Sequence, residues 1–214
     1  MNAEVEPSSF LKRVLKVSNV YDIFQNVVGG HRARKWIASK AWKVTGGEKV
    51  VDIGCGTGSC LDYLPANIVY CGIDISQAYI ESAREKYGER GRFFVGSATD
   101  CPEGVRNELL QADIVLSNGV LHHLSDEEAL QVLDLAKNVL KPGGRLICVE
   151  PTYLLHQTVL SKWILSQDRG MFIRSETQWK ALIEKAFDSW TTNVITGLLR
   201  IPYTHLVIEC WRTL

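Results

Sequence analysis

The sequence predicts an α/β fold, a doubly wound, mostly parallel sheet with helices on both faces, and three observations carry that expectation. From residue 48 onward short β-type runs alternate with helical segments, a glycine-rich turn directly follows the first run, and the last two β-type runs are separated by only a few residues. Alternation of this kind marks parallel strands joined by helical crossovers. The 214 residues, 46% of them apolar, suit a single domain with a real core.

Taken in order, the chain opens with Phe10, Leu11, Val14, Leu15, Val20, Tyr21, Phe24, Val27 and Val28 at helical spacing, running up to Gly29-Gly30. Residues 8–44 are therefore expected to be helical and to form a lid over one edge of a ligand crevice. The first strand is KVVDIG, with a helix expected after it. The second is IVYCGIDI, followed by the helix SQAYIESAREKYG, and the runs RFFVGSA and ADIVLSNG supply two more strands. Ser125 and Glu128 fit a capping box ahead of the periodic run Leu130, Leu133, Val139 and Leu140, and Pro142-Gly143-Gly144 stops that helix before the strand RLICVEP. A less regular stretch, 151–174, reads as a cap insertion, and Ser175 opens a further helix. The closing runs WTTNVITG and THLVIECWR are too close for a parallel crossover, so they pair antiparallel.

Composition narrows the function classes. Lys plus Arg and Asp plus Glu number 24 each, so no global field recruits nucleic acid or an anionic membrane. The six cysteines form no C-x-x-C pair, which fits reduced thiols in a cytoplasmic protein. No apolar run approaches the roughly 18 residues of a membrane span, and the start MNAEVEPSSF lacks a basic-then-apolar signal pattern. The six tryptophans are not interleaved with a basic run, so they read as packing residues, with Trp163 and Trp179 as possible pocket walls.

The stretch VVDIGCGTGSC places Gly54, Gly56 and Gly58 in the first strand-to-helix turn, where an open α/β sheet brings its backbone closest to a ligand. Glycine there permits positive φ and removes the Cβ, so that backbone N–H groups can approach what a side chain would block. Asp74 ends the second strand 20 residues after Gly54, at the place from which a carboxylate accepts hydrogen bonds from ribose hydroxyls. The two features together point to an adenosine-type ligand. They do not match a dinucleotide site, because G-x-G-x-x-G needs its third glycine at position 59, which is Ser. The phosphate-loop pattern ending in Gly-Lys-Ser/Thr is also missing.

VVDIGCGTG, GIDIS, VLHHL, LKPGG and the closing strand pair, in that order, resemble the class I S-adenosylmethionine-dependent methyltransferases over about residues 20–212. The resemblance implies a Rossmann-like sheet of seven strands with an antiparallel last strand. It implies S-adenosyl-L-methionine as cofactor and S-adenosyl-L-homocysteine as product. By the same resemblance Gly54, Cys55 and Gly56 lie beside the methionine part, Asp52 orients its amino group and Asp74 holds the ribose. Ile75 and Ala98 pack on the adenine, and Ser117 and Asn118 border the methionine and the transferred methyl. Ser97 stands where similar sequences often carry an Asp that reads the adenine amino group, so that contact falls to Ser97 or to Asp100. The segment YDIFQNVVGGHR resembles the leading helix of a subgroup of these enzymes, which implies that Tyr21 and Gln25 fold over the cofactor.

Methyl transfer from a sulfonium is an in-line displacement in which the protein chiefly aligns nucleophile, carbon and sulfur, so no metal is expected. A hydroxyl or amine acceptor must also lose a proton. The groups able to take it at the carboxyl ends of the strands are His123, His122 and Glu150, with Arg200, Tyr203 and His205 near the last turn. Arg169 and Arg174 flank the GMF run of the cap and are candidates to grip an acidic acceptor. The chain lacks the N-P-P-Y type motif and the Pro-Cys dipeptide that nucleic-acid methylation would need by resemblance. A small-molecule acceptor is therefore the first expectation. An RNA or protein methyltransferase and a catalytically silent cofactor-binding protein are the alternatives, and the oligomeric state is not legible.

Overall fold

A computed structural model of the chain describes residues 29–167 and 170–213. The expected helix over residues 8–28, with Tyr21 and Gln25, lies outside the described residues, as does Arg169. The strands are β1 (Lys49–Ile53), β2 (Val69–Asp74), β3 (Arg92–Val95), β4 (Ala112–Asn118), β5 (Leu140–Tyr153), the two-residue β6 (Arg174–Ser175), β7 (Ser189–Thr196) and β8 (Thr204–Trp211). The main sheet runs in the order β3-β2-β1-β4-β5-β8-β7, and β6 adds to the end of β5. All pairings from β3 through β5 are parallel. β8 lies antiparallel between β5 and β7, as the short link before it requires. Seven strands were expected, and the eighth is β6, formed where the cap returns to Thr152 and Tyr153.

Alternation along the strands divides the core into two layers. Val51, Ile73, Val115, Leu146, Cys148, Leu206 and Ile208 face α4 (Asp126–Val139) and α6 (Glu176–Ile183), between which the chain forms α5 (Val159–Ser166). Val50, Tyr70, Ile114, Leu116 and Ile147 face the opposite layer, which includes Trp42, Leu61, Ile80 and Ala83. That layer is built from α1 (Gly30–Ile37), a π-helical turn (Ala38–Trp42), a 3-10 turn (Ser59–Tyr63) and α2 (Gln77–Tyr87). Burial on both faces explains why these strands read as continuous apolar runs. Two capping boxes start helices where the sequence places them, Ser125 with Glu128 and Ser175 with Gln178.

Several boundaries differ from the sequence reading, β5 among them: it begins at Leu140, so that Pro142-Gly143-Gly144 lies within the strand, and it runs to Tyr153, into the expected cap. The N-terminal helical segment ends at Trp42 and not at 44, because Lys43 takes a left-handed conformation. The helix expected after β1 is only a 3-10 turn: Gly58 enters it left-handed and the chain is extended again by Leu64, just before Pro65. A helix without a clear apolar period, α3 (Glu103–Leu109), lies between β3 and β4 and buries only Leu109. All six cysteines are buried and free. Among the described residues no helix is long and apolar enough to cross a membrane. No group of three or more metal-ligating side chains occurs among them.

Candidate active site

Strand order reverses between β1 and β4, the two neighbours at the centre of the sheet, so the crevice at their carboxyl ends is where an α/β sheet receives a ligand. The turn after β1 holds Gly54, Gly56 and Gly58 at φ 71°, 54° and 73°. Gly54 and Cys55 donate their N–H groups to the Ile73 carbonyl at 2.8 and 3.1 Å, tying the turn to β2. The N–H of Gly56 donates to Asp74 Oδ2 at 2.8 Å, and that of Ser76 to Asp74 Oδ1 at 2.8 Å. Asp74 thus joins the glycine turn to the start of α2. Nothing lies within 4 Å of where a Gly56 side chain would stand. Beside it Ile75 is 78% exposed, a large apolar side chain presented at the mouth of the crevice. Ala98 and Ser97 follow β3, where Ser97 Oγ bonds Thr99 Oγ1 at 2.7 Å. Open space over Gly56, a carboxylate with further acceptor capacity and an exposed apolar platform fit an adenosine-type cofactor.

Asp52 lies beneath this turn, only 4% exposed. Its Oδ2 accepts from the Tyr70 hydroxyl at 2.7 Å and from the Cys60 thiol at 3.0 Å. Burial pushes its carboxyl up to about 6 against the pull of those two donors. Cys60 and Tyr70 are themselves held well above their ordinary values by burial and by the neighbouring Asp52 charge, so both remain donors.

At the end of β4, Ser117 Oγ is buried without a hydrogen bond among the described residues, and Asn118 Oδ1 accepts from the Trp42 indole at 3.1 Å. Next comes a 3-10 turn, Leu121–His123. Its amino end is gripped by Glu150, a fully buried carboxylate at the end of β5. Glu150 Oε1 accepts from the N–H groups of Val120 and Leu121, each at 3.0 Å, and Oε2 accepts from that of His122 at 3.3 Å. Oε2 also lies 2.6 Å from His122 Nδ1. A carboxylate already accepting three backbone protons needs Nδ1 as a fourth donor, which assigns the proton to Nδ1 and the lone pair to Nε2. His123 is exposed and its ring lies against that of His122, centroids 4.1 Å apart.

The two halves of the site touch. A methyl group built on Gly54 would overlap the Val120 side chain, so the glycine turn packs on the residue that opens the histidine turn. Sequence order placed His122 and Glu150 among the candidates, but only the β4–β5 pairing, Asn118 opposite Val149, brings them into contact. Tyr203 and His205 lie together at the start of β8, ring centroids 4.9 Å apart, and Gly29 packs on Arg200 in the preceding turn. Two expectations change. Trp179 is fully buried and donates to the Pro151 carbonyl at 3.1 Å, so it is core and not a pocket wall. Arg174 is 5% exposed and turned inward onto protein carbonyls, which leaves it no acidic acceptor to grip.

Residues 51–146 match a family model described as a methyltransferase domain. The chain is 26% identical over 184 residues to the polyketide synthase component of lovastatin nonaketide synthase from Aspergillus terreus, covering 76% of this chain but only 6% of that protein's length. It is 25% identical over 186 residues to the demethylmenaquinone methyltransferase of Staphylococcus aureus, covering 80% of this chain and 75% of that protein. Its fold is similar to that of mitomycin 7-O-methyltransferase, with a TM-score of 0.68 at 21% identity over 94% of this chain and 59% of the other. The domain match, together with the motif order and the strand order already described, supports a class I S-adenosylmethionine-dependent methyltransferase family for this chain.

Proposed function

We propose that the protein transfers the methyl group of S-adenosylmethionine to an oxygen or nitrogen of a small-molecule acceptor, with His122 as the base and Glu150 as the group that orients it. The observation that carries this reading is the contact between a cofactor-type glycine turn and a buried imidazole–carboxylate pair, made through Gly54 and Val120. The backbone of Gly54, Cys55 and Gly56 would hold the methionine part, and Asp74 the ribose. Ile75, Ala98 and Ser97 would hold the adenine, and Ser117 and Asn118 would border the methyl. Tyr21 and Gln25 would close over it from the N-terminal segment. S-adenosylmethionine, when bound, supplies a methyl group already activated on a sulfonium.

The chain's own residues then align and deprotonate. With an acceptor oxygen or nitrogen held in line with that methyl group, His122 Nε2 would take the acceptor's proton. Glu150 holds the Nδ1 proton and stabilises the imidazolium that forms. Of the two histidines the geometry favours His122, because His123 is exposed. Relatives named for menaquinone, polyketide and mitomycin chemistry support a small organic acceptor.

The test is thermal stabilisation with S-adenosylmethionine, S-adenosylhomocysteine, NAD and NADP in parallel. A ligand at a hundredfold excess over its Kd adds about 2.7 kcal/mol, which raises Tm by roughly 5–11 °C for a chain of this size. The two sulfur nucleosides should give this shift and Asp74→Ala should at least halve it. A shift with NAD or NADP alone, or with none of the four, would remove the reading's footing.

A further inference from the structure

The turn that carries His122 is held from both ends by buried charge, and only one of the two holders belongs to the strand beneath it. Glu150 takes the N–H groups at the amino end. At the other end Arg174, on β6, spreads its guanidinium over the carbonyls: Nη1 donates to Leu121 O at 3.0 Å and Nη2 to Leu124 O at 2.8 Å. We propose that Arg174 is a positioning residue for the His122–Glu150 pair, fixing the imidazole from the cap; the proposal rests on the reading of His122 as the base.

A single 3-10 turn cannot fix a side chain by itself. Its own hydrogen bonds, His123 N to Val120 O at 3.0 Å and Leu124 N to Leu121 O at 3.2 Å, close one turn of poor geometry and leave the carbonyls of His122 and Leu124, and a second lone pair on that of Leu121, to donors from outside the turn. The cap supplies them. Besides the two from Arg174, the Phe172 N–H donates to the His122 carbonyl at 2.9 Å. Gly170 sits so closely on the imidazole that a side chain there would overlap the ring. Arg174 is fixed in turn by Asp126, whose Oδ1 accepts from Nε at 2.8 Å, and by the face of Trp179, 4.8 Å from the guanidinium carbon. A planar fork of donors reaches three carbonyls, those of Leu121, Leu124 and Phe172, and one carboxylate at once, which a lysine ammonium on its flexible stem cannot do. Misplacing a reacting group by about 1 Å can cost on the order of a hundredfold in rate, so a residue that never touches the acceptor governs the base.

The test reads the imidazole directly and needs neither cofactor nor acceptor. In protein labelled with ¹⁵N in its histidines, the His122 signals are assigned by their absence in His122→Asn. The parent should show a protonated, hydrogen-bonded Nδ1 whose proton exchanges slowly, and an unprotonated Nε2. Arg174→Met should lose the slow Nδ1 proton and the single-tautomer pattern. Arg174→Lys, which keeps the charge without the fork and carries the same test should Arg174→Met fail to fold, should lose them too. An unchanged His122 signature in a folded Arg174→Met, or its full return in Arg174→Lys, would overturn the positioning role. S-adenosylmethionine shifts on the same samples keep the two readings apart: an absent shift in the parent sinks methyl transfer, while the histidine spectra still decide the role of Arg174.

Discussion

Asp52 is a carboxylate buried where its charge is costly, and its setting makes stability depend on pH. Burial raises it from its ordinary value of 3.8 to about 6, with Tyr70 and Cys60 pulling the other way. A carboxyl whose folded pKa lies above its unfolded one contributes stability below the unfolded value, and loses it as pH rises through the folded value. The window is therefore the interval from 3.8 to about 6. Asp52→Asn keeps an acceptor for Tyr70 but cannot ionise, so its urea midpoint should fall less than that of the parent between about pH 4 and pH 7. Equal falls in both proteins would show that Asp52 is not the group responsible. His122 and Glu150 illustrate the opposite use of burial, since Glu150 takes its donors, among the described residues, from one short stretch, Val120 to His122.

The glycine turn shows how one element serves packing and binding through different positions. Gly54 has φ 71° and no room for a methyl group beside Val120, whereas Gly56 has φ 54° and open space before it. Both pay the strain of a left-handed residue when changed to alanine, about 1–2 kcal/mol, but only Gly54→Ala adds overpacking, typically 1–3 kcal/mol. Chemical denaturation should rank Gly54→Ala as the less stable variant by at least about 1 kcal/mol. The S-adenosylmethionine shift should fail in Gly56→Ala, whose methyl group enters the crevice. Equal stabilities, or a full shift in Gly56→Ala, would mean that the turn faces something other than the ligand. The same turn explains why no full helix follows β1: the chain leaves Gly58 left-handed and reaches extended backbone again by Leu64.

Across the whole molecule the two layers of the sheet meet the site from opposite sides. One brings Trp42, whose indole bonds Asn118, while its carbonyl accepts from Arg145 Nη2 at 2.5 Å and Arg145 pairs with Glu209 at 2.7 Å. These bonds tie the N-terminal helical segment to β4, β5 and β8. Trp42→Phe keeps the ring in the core but removes the donor to Asn118, which should cost about 1 kcal/mol, or roughly 2–4 °C in Tm. A change below half a degree would mean that the bond contributes nothing to holding the segment on the sheet. The other layer brings α4, α6 and the cap, and through Arg174 it holds the histidine turn.

Periodicity, turn residues and local spacing determined the elements, because these are properties of neighbouring residues. The alternation of strands and helices, the capping box at Ser125, the helix start at Ser175 and the antiparallel ending were all legible. So was the placing of Gly54, Gly56 and Asp74 at adjacent strand ends, since the first turn and the end of β2 have fixed positions in a doubly wound sheet. What joins residues distant in the chain was not legible. The sequence offers His123 slightly ahead of His122 as the base, and Arg174 as a grip for an acidic acceptor. Strand register sets Glu150 under His122 and not His123, and the return of the cap as β6 buries Arg174 against carbonyls from the turn after β4. Local physics writes the secondary structure and the glycine turn, whereas the environment of a buried charge depends on which strands lie side by side, and only the folded chain decides that.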